Sequence, residues 1–361
     1  MKRLSRKVLP LAALLLAASA AACGGAAPTT LTSAPATSAT SQPDTSQSTT
    51  PQPTTAESTA AQLTPVTIML DWVPNTNHTG IYVAQAKGYF KEEGLDVKIV
   101  EPGEVYPEAA VASGSADFGI SFQESVTLAR AEKAPIVSIA AVLQHNTSGF
   151  ASLKSLGITT PKGFEGHTYG AWGSPSEVPT LKALMQGEGA DFTKLTMKNT
   201  GMSDSLALIA QKQVDLVWIY YGWQGIQAKL QGVDINIVMM KDYLKDVPDF
   251  YTPVVIASES TIATKPDTVK KMVAALSRGY TFAAQNPDEA ADILIAAVPE
   301  LDKTLVKQSQ EWLAPYIIAE ASRWGEQKES VWQGYSDWLL KNGVVKAPGD
   351  VKAAFTNQFL P

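Results

Sequence analysis

Short apolar runs in this chain end in loops that open helix-period stretches, and this wiring occurs twice. Residues 66–70 (VTIML), 96–100 (DVKIV), 116–121 (ADFGIS) and 136–142 (IVSIAAV) are long enough for strands. Between them, 79–87, 108–114 and 123–131 carry helical spacing. Strands alternating with helices of this length pack as an α/β layered fold with a mostly parallel sheet. In the first helix Thr79 is the expected N-cap and Gly88 the expected stop. From about Gly157 the pattern restarts. VASGSADFGISFQES and LIAQKQVDLVWIYYGW each place a polar turn and an Asp before an apolar strand that runs into a polar or aromatic loop. A unit that occurs only twice describes two lobes rather than a solenoid. Residues 252–258 (TPVVIAS) add a strand, and the remainder to Phe359 is helical and rich in tryptophan. The expected division is 65–155 with 256–361 in lobe 1 and 156–255 in lobe 2, with crossing strands near 150 and 255 as a hinge. Ligands of such sheets sit at strand carboxyl ends, in the crevice.

The first 64 residues follow other rules. Lys2, Arg3, Arg6 and Lys7 precede an apolar run from Val8 to Ala22, too short to span a bilayer and suited to a signal peptide over 1–22. It ends in Ala20-Ala21-Ala22 before Cys23, the sole cysteine. A cysteine placed there is similar to the acylated cysteine of bacterial lipoproteins, although Ala20 stands where that pattern carries Leu. An ordinary signal peptide is the alternative. Acyl chains on Cys23 would hold the protein on the extracytoplasmic face of the cell membrane, each buried CH₂ contributing about 0.8 kcal/mol. The segment 23–64 continues as Ser, Thr, Pro, Ala and Gln, with no aromatic residue and only Asp44 and Glu57 charged. It cannot bury enough apolar surface to offset chain entropy and reads as a disordered tether, whose hydroxyls also permit O-glycosylation.

A net charge of −6 gives a nucleic-acid partner no electrostatic support. No GxSxG, HExxH, GxxxxGK[ST] or strand-borne GxGxxG occurs. The three histidines are scattered, and Cys23 leaves no thiol in the folded part. No catalytic residue, cofactor or metal is therefore expected.

Aromatic side chains gather instead at strand ends. Trp72, Trp172, Tyr220, Tyr221 and Trp223 are candidates for stacking on a planar ring, each contact contributing roughly 1–3 kcal/mol. Trp218 shares a strand face with Tyr220 and is assigned to the core. Asn75, Asn77 and His78 offer donors and acceptors to a ring edge, or cap the following helix. Gln123 and Glu124 follow a second strand end, and Ser174, Ser176 and Glu177 a third, where helix N-termini present free N–H groups.

DWVPNTNHTGIYVAQAKGYFKEEGLDVKIVEPG, with GSADFGIS, AWGSPSE and GWQGIQA, resembles the solute-binding proteins related to thiamine-pyrimidine synthase over nearly all of 65–340. The resemblance implies a periplasmic-binding-protein type fold, two α/β lobes with a ligand cleft between them, and capture by lobe closure. It implies lipoproteins that deliver ligand to ABC permease subunits, here expected as a monomer. Ligands in the family include pyrimidine precursors of thiamine and, in one vitamin-uptake branch, riboflavin. Its eukaryotic members are enzymes that build the pyrimidine, using a histidine and a cysteine-rich motif. His78 lies in the matching NTNHTG, but the cysteine-rich motif is absent, so this chain is expected not to be an enzyme. The aromatic density suits isoalloxazine, and riboflavin is the expected ligand. Hydroxymethylpyrimidine or formylaminopyrimidine is the alternative. Gln224 in YYGWQG is neutral where a carboxylate would grip an aminopyrimidine, which leaves Glu124 and Glu177 for that task.

Overall fold

The computed structural model describes residues 62–201 and 203–361. The expected signal peptide, Cys23 and nearly all of the tether lie outside them. Strands β1 (Thr64–Met69), β2 (Leu95–Val100), β3 (Phe118–Ser121) and β4 (Ile136–Ala141) come first in the chain. β5 (Ser148–Leu153), β6 (Thr168–Ala171), β7 (Thr196–Asn199), β8 (Leu216–Tyr220) and β9 (Ile235–Met239) follow, and β10 (Val254–Ser258) is last. They form one five-stranded sheet in the order β2-β1-β3-β10-β4 and a second in the order β7-β6-β8-β5-β9. Among the described residues no helix is long and apolar enough to cross a membrane.

The expectation of a mostly parallel sheet holds for β2-β1-β3 and β7-β6-β8 and fails at two strands. β10 is antiparallel to β3 and β4, and β5 is antiparallel to β8 and β9. The cause is the route of the chain. Residues 142–147 leave β4 at its carboxyl end and enter the second sheet beside Tyr220, the carboxyl end of β8. The return segment enters the first sheet beside Ser121 and Ala141, again at carboxyl ends. A strand that enters at that edge must run against its neighbours.

The expected division between lobes needs two corrections. β5, placed within 65–155, pairs only in the second sheet. The helix 329–341, placed with lobe 1, serves both cores. Its Trp332 packs with Val254, Ile256 and Tyr251, whereas Tyr335, Trp338 and Leu339 pack with Phe150, Tyr169 and Trp218. These four side chains recur at helical spacing and form one apolar stripe, long enough to span the seam.

At the base of the first lobe the helix 79–86 crosses the helix 266–285 at very short range. A Cβ on Gly279 would lie 2.1 Å from the Gly80 carbonyl oxygen, and one on Gly80 would lie 2.2 Å from the Tyr280 ring. Tyr280 stacks on Trp324 at 4.8 Å, and its hydroxyl donates to the Asn77 carbonyl at 2.8 Å. The crossing therefore holds the loop 71–78 from below.

The two crossing segments are tied by charge. His145 in the first donates through Nδ1 to Asp249 in the second at 2.6 Å and through Nε2 to Glu320 at 2.8 Å. The Asn146 N–H also donates to Asp249, at 3.0 Å, and Lys328 pairs with Glu320 at 3.0 Å. The hydrogen bond to Asp249, with that to Glu320, pushes the imidazole up to about 9 from 6.5. A raised pKa in the folded state gives stability that is whole below 6.5 and is lost as pH climbs to about 9. Urea unfolding across that interval should show stability declining with pH, and His145→Asn should remove that part of the slope. Because the side chain is 41% exposed, 1 M salt should shrink it as well. An identical slope in the variant would refute the assignment.

Candidate functional site

Four loops meet at the seam between the sheets, following β1, β3, β6 and β8. In the first, Asn75 lies in extended conformation and caps a short 3₁₀ turn, its Oδ1 accepting from the Asn77 N–H at 2.9 Å. Its Nδ2 donates to the Val73 carbonyl at 2.9 Å. His78 is fully buried, its Nδ1 accepting from the Asn75 N–H at 3.2 Å and its Nε2–H donating to Asp71 at 2.6 Å. Asn75 caps this 3₁₀ turn only; the helix Thr79–Ala86 that follows has His78 at its N-cap with no side-chain capping bond, and Thr79, the expected cap, is its first residue, its hydroxyl without a partner among the described residues. Both nitrogens of His78 are occupied, so it acts as a strut that aims the Asp71 carboxylate. The Asn77 side-chain amide is half-buried and makes no hydrogen bond among the described residues.

The second loop carries Phe122, Gln123 and Glu124. Gln123 accepts from the Tyr251 N–H at 2.8 Å and donates to the Val331 carbonyl at 3.2 Å, which spends it on fastening three segments together. Glu124 points across the seam. One carboxyl oxygen receives the Ser176 hydroxyl at 2.6 Å and also the Ser174 hydroxyl, both from the other lobe. Burial pushes the Glu124 carboxyl up, and the charge of Glu177 adds to the effect, while the two serines oppose it. Beside it, Ser121 donates to Glu108, whose carboxyl is pushed up by burial with a contribution from Asp71.

The third loop is organised by Glu177. Its carboxylate accepts from the Tyr169 hydroxyl at 2.6 Å and from the N–H groups of Trp172, Gly173 and Ser174 at 3.0, 2.7 and 2.9 Å. Gly173 adopts φ 110° in this arch, a conformation that side-chain-bearing residues avoid. Glu177 is saturated by the protein and serves to present Ser174 and Ser176 to Glu124.

In the fourth loop, neighbouring rings diverge. Tyr220 stacks on Phe122 of the opposite lobe at 6.2 Å and 15°, and burial pushes its hydroxyl well up, with Glu124 and Asp71 contributing. Tyr221 rests on Trp312 at 4.8 Å. Trp223 packs on the cluster of Tyr82, Leu294 and Val306. A π-helical turn over Tyr221–Gly225 sends both rings to the helices, and Ser309 fixes it by donating to the Gly222 carbonyl. Trp218 is core, against Phe150 at 5.1 Å. Gln224 accepts from the Tyr220 N–H at 3.0 Å. Trp72 and Trp172 are each 39% exposed, one in each lobe.

Of the expected residues, the structure joins Glu124, Ser174, Ser176 and Tyr220 at the seam and leaves Trp72, Trp172 and Asn77 partly open. It turns Asn75, His78, Gln123, Glu177, Tyr221 and Trp223 toward partners in the protein. Phe122, Asp71 and Glu108 were not anticipated. Phe122 had a signal, since it occupies in SFQES the place that the aromatic pair holds in IYYGW. Asp71 and Glu108 had none beyond their positions near a strand end and a helix start. Among the described residues, no group of three His, Cys, Asp or Glu could hold a metal ion. The result is an acid-lined, aromatic-walled seam built for gripping.

Two mixed α/β sheets with such a seam at their carboxyl ends constitute the periplasmic-binding-protein fold. The periplasmic aliphatic sulphonate binding protein SsuA from Escherichia coli superposes with a TM-score of 0.61 at 16% identity, covering 80% of this chain and 91% of that one. The chain belongs to the NMT1/THI5-like family, whose model matches residues 75–290. It is 29% identical over 300 residues to the formylaminopyrimidine-binding protein of Halalkalibacterium halodurans, covering 82% of this chain and 90% of that one. It is 27% identical over 314 residues to the riboflavin-binding protein RibY of Chloroflexus aurantiacus, covering 83% and 87%. A Legionella pneumophila protein named 4-amino-5-hydroxymethyl-2-methylpyrimidine phosphate synthase is 26% identical over 300 residues, covering 82% and 92%.

Proposed function

We propose that the protein is the extracytoplasmic binding component of an ABC importer, and that it captures an aminopyrimidine of the thiamine-precursor kind by closure of its lobes. The observation that carries this reading is the set of carboxyl groups at one seam. Asp71 acts electrostatically on Glu108 and on Tyr220, and Glu124 also acts on Tyr220. An aminopyrimidine presents amino N–H donors and a basic ring nitrogen, which carboxyl groups satisfy. The edge of isoalloxazine presents two carbonyl acceptors around a single N–H, which an acidic wall opposes. The acidic wall therefore favours the pyrimidine over riboflavin, the ligand expected from sequence. Riboflavin remains the second reading, favoured by the open faces of Trp72 and Trp172.

The binding-protein names of two relatives support capture rather than turnover. So does His78, whose two nitrogens are both engaged. Anchoring through Cys23, delivery to permease subunits and a monomeric state complete the proposal. Calorimetric titration of the purified protein with 4-amino-5-hydroxymethyl-2-methylpyrimidine, its formylamino analogue and riboflavin tests it. A pyrimidine should bind at micromolar concentration or below while riboflavin fluorescence stays unquenched. The opposite pattern reassigns the ligand to riboflavin. Loss of mass at His78 on incubation would replace binding with synthesis.

A further inference from the structure

The helix 329–341 carries a buried hydroxyl that makes no well-formed hydrogen bond among the described residues. Tyr335 is fully buried, stacked on Phe250 at 4.2 Å and on Trp338 at 5.7 Å. Its hydroxyl has no hydrogen-bond partner among the described residues. Ser176, which gives its own proton to Glu124 at 2.6 Å, stands at the margin of hydrogen-bond reach of the phenol, and Glu124 and Tyr220 are close enough to act on it electrostatically. Only one oxygen of Glu124 receives those serines, and the other takes no hydrogen bond among the described residues. A buried phenol O–H and a second carboxyl oxygen, both without a hydrogen bond among the described residues, thus flank Ser176 at the seam. Buried polar groups are nearly always satisfied, and an orphan of this kind marks a place that something else completes. The apolar stacking of the ring explains its position but not its oxygen, since phenylalanine would pack there equally well.

We propose that Tyr335 is a specificity-determining residue of the ligand site, its hydroxyl acting with Glu124 to hold a ring substituent that both donates and accepts a hydrogen bond, such as a hydroxymethyl group. Glu124 accepts the substituent's proton, and the Tyr335 hydroxyl donates to its oxygen. The proposal rests on the pyrimidine reading for the identity of the ring. It also assigns a ligand contact to a helix beyond the family-matched segment 75–290.

The test compares 4-amino-5-hydroxymethyl-2-methylpyrimidine with 4-amino-2,5-dimethylpyrimidine, which lacks only the hydroxyl. The protein should prefer the first by about tenfold or more, and Tyr335→Phe should shrink the preference by weakening the first compound alone, the Glu124 contact being left. Thermal unfolding of the unliganded variant should be unchanged or slightly raised, since an unsatisfied group has been removed. An equal loss for both compounds, or an unchanged preference, overturns the proposal. If neither pyrimidine binds the unsubstituted protein, the pyrimidine reading fails by itself. The same comparison then uses riboflavin against lumiflavin, which lacks the ribityl hydroxyls. Loss of that difference in Tyr335→Phe supports the role of Tyr335, and its persistence, or binding of neither class, overturns it.

Discussion

Glu124→Ala is expected to weaken aminopyrimidine binding by about 100-fold, because truncating one partner of a buried, hydrogen-bonded charged contact costs about 2–5 kcal/mol. Glu124 is buried, spans the seam and receives hydroxyls from the opposite lobe. The variant loses both the grip on the ligand and the contact that favours the closed form. Its unfolding free energy should nevertheless stay within about 1 kcal/mol of the parent, since removing a carboxyl whose ionisation is opposed by burial offsets the two lost serine bonds. Glu124→Gln separates charge from shape. It can still accept from the serines, and a loss nearer tenfold would assign the remainder to charge. Calorimetry on both variants reads the result. Parent-like affinity in Glu124→Ala would remove this residue from the site.

The second large effect concerns stability. Gly279→Ala should destabilise the protein by roughly 3 kcal/mol, at the upper end of what overpacking costs. The added methyl meets a backbone carbonyl rather than a flexible side chain, so the helices must move apart. Separation would pull the Tyr280 hydroxyl from the Asn77 carbonyl and loosen the loop that holds Asp71. Urea unfolding and ligand titration should therefore fail together. Gly334→Ala, where an added methyl meets nothing within 4 Å, is the control and should be neutral or stabilising. A stable Gly279→Ala protein would show that the crossing is softer than its spacing implies.

Much of the fold was legible because it is written locally. The helix Gln123–Ala131 begins and ends where its apolar spacing does, and each strand of the first sheet coincides with an apolar run. Strand direction was not legible for β5 and β10, since it follows from which edge the chain reaches after crossing. At the site, residue type was read better than residue role. His78 looks like a ring-edge contact until Asp71, seven positions away, claims its Nε2. Glu177 looks like a binding carboxylate until three backbone N–H groups and a tyrosine fill it. Tyr220 and Tyr221 are adjacent and chemically alike, yet the first ends the strand and faces the opposite lobe while the second opens the π-helical turn that sends its ring to the helices. Tyr335 belongs to a stripe recognisable as an amphipathic helix, but nothing in its spacing says that the stripe crosses from one core to the other.

That crossing bears on how the lobes can part. Trp332 is committed to one core and Tyr335, Trp338 and Leu339 to the other, and separating the helix from either would uncover aromatic surface contributing about 1.5–3 kcal/mol per side chain. With two crossing segments alone, the lobes could swing wide like a door on one edge. A stiff rod through both turns that swing into a shallow twist. Ligand would then enter and leave by a narrow gap, so slow exchange and a long residence time, more than a large change in radius, are the signatures of closure to look for.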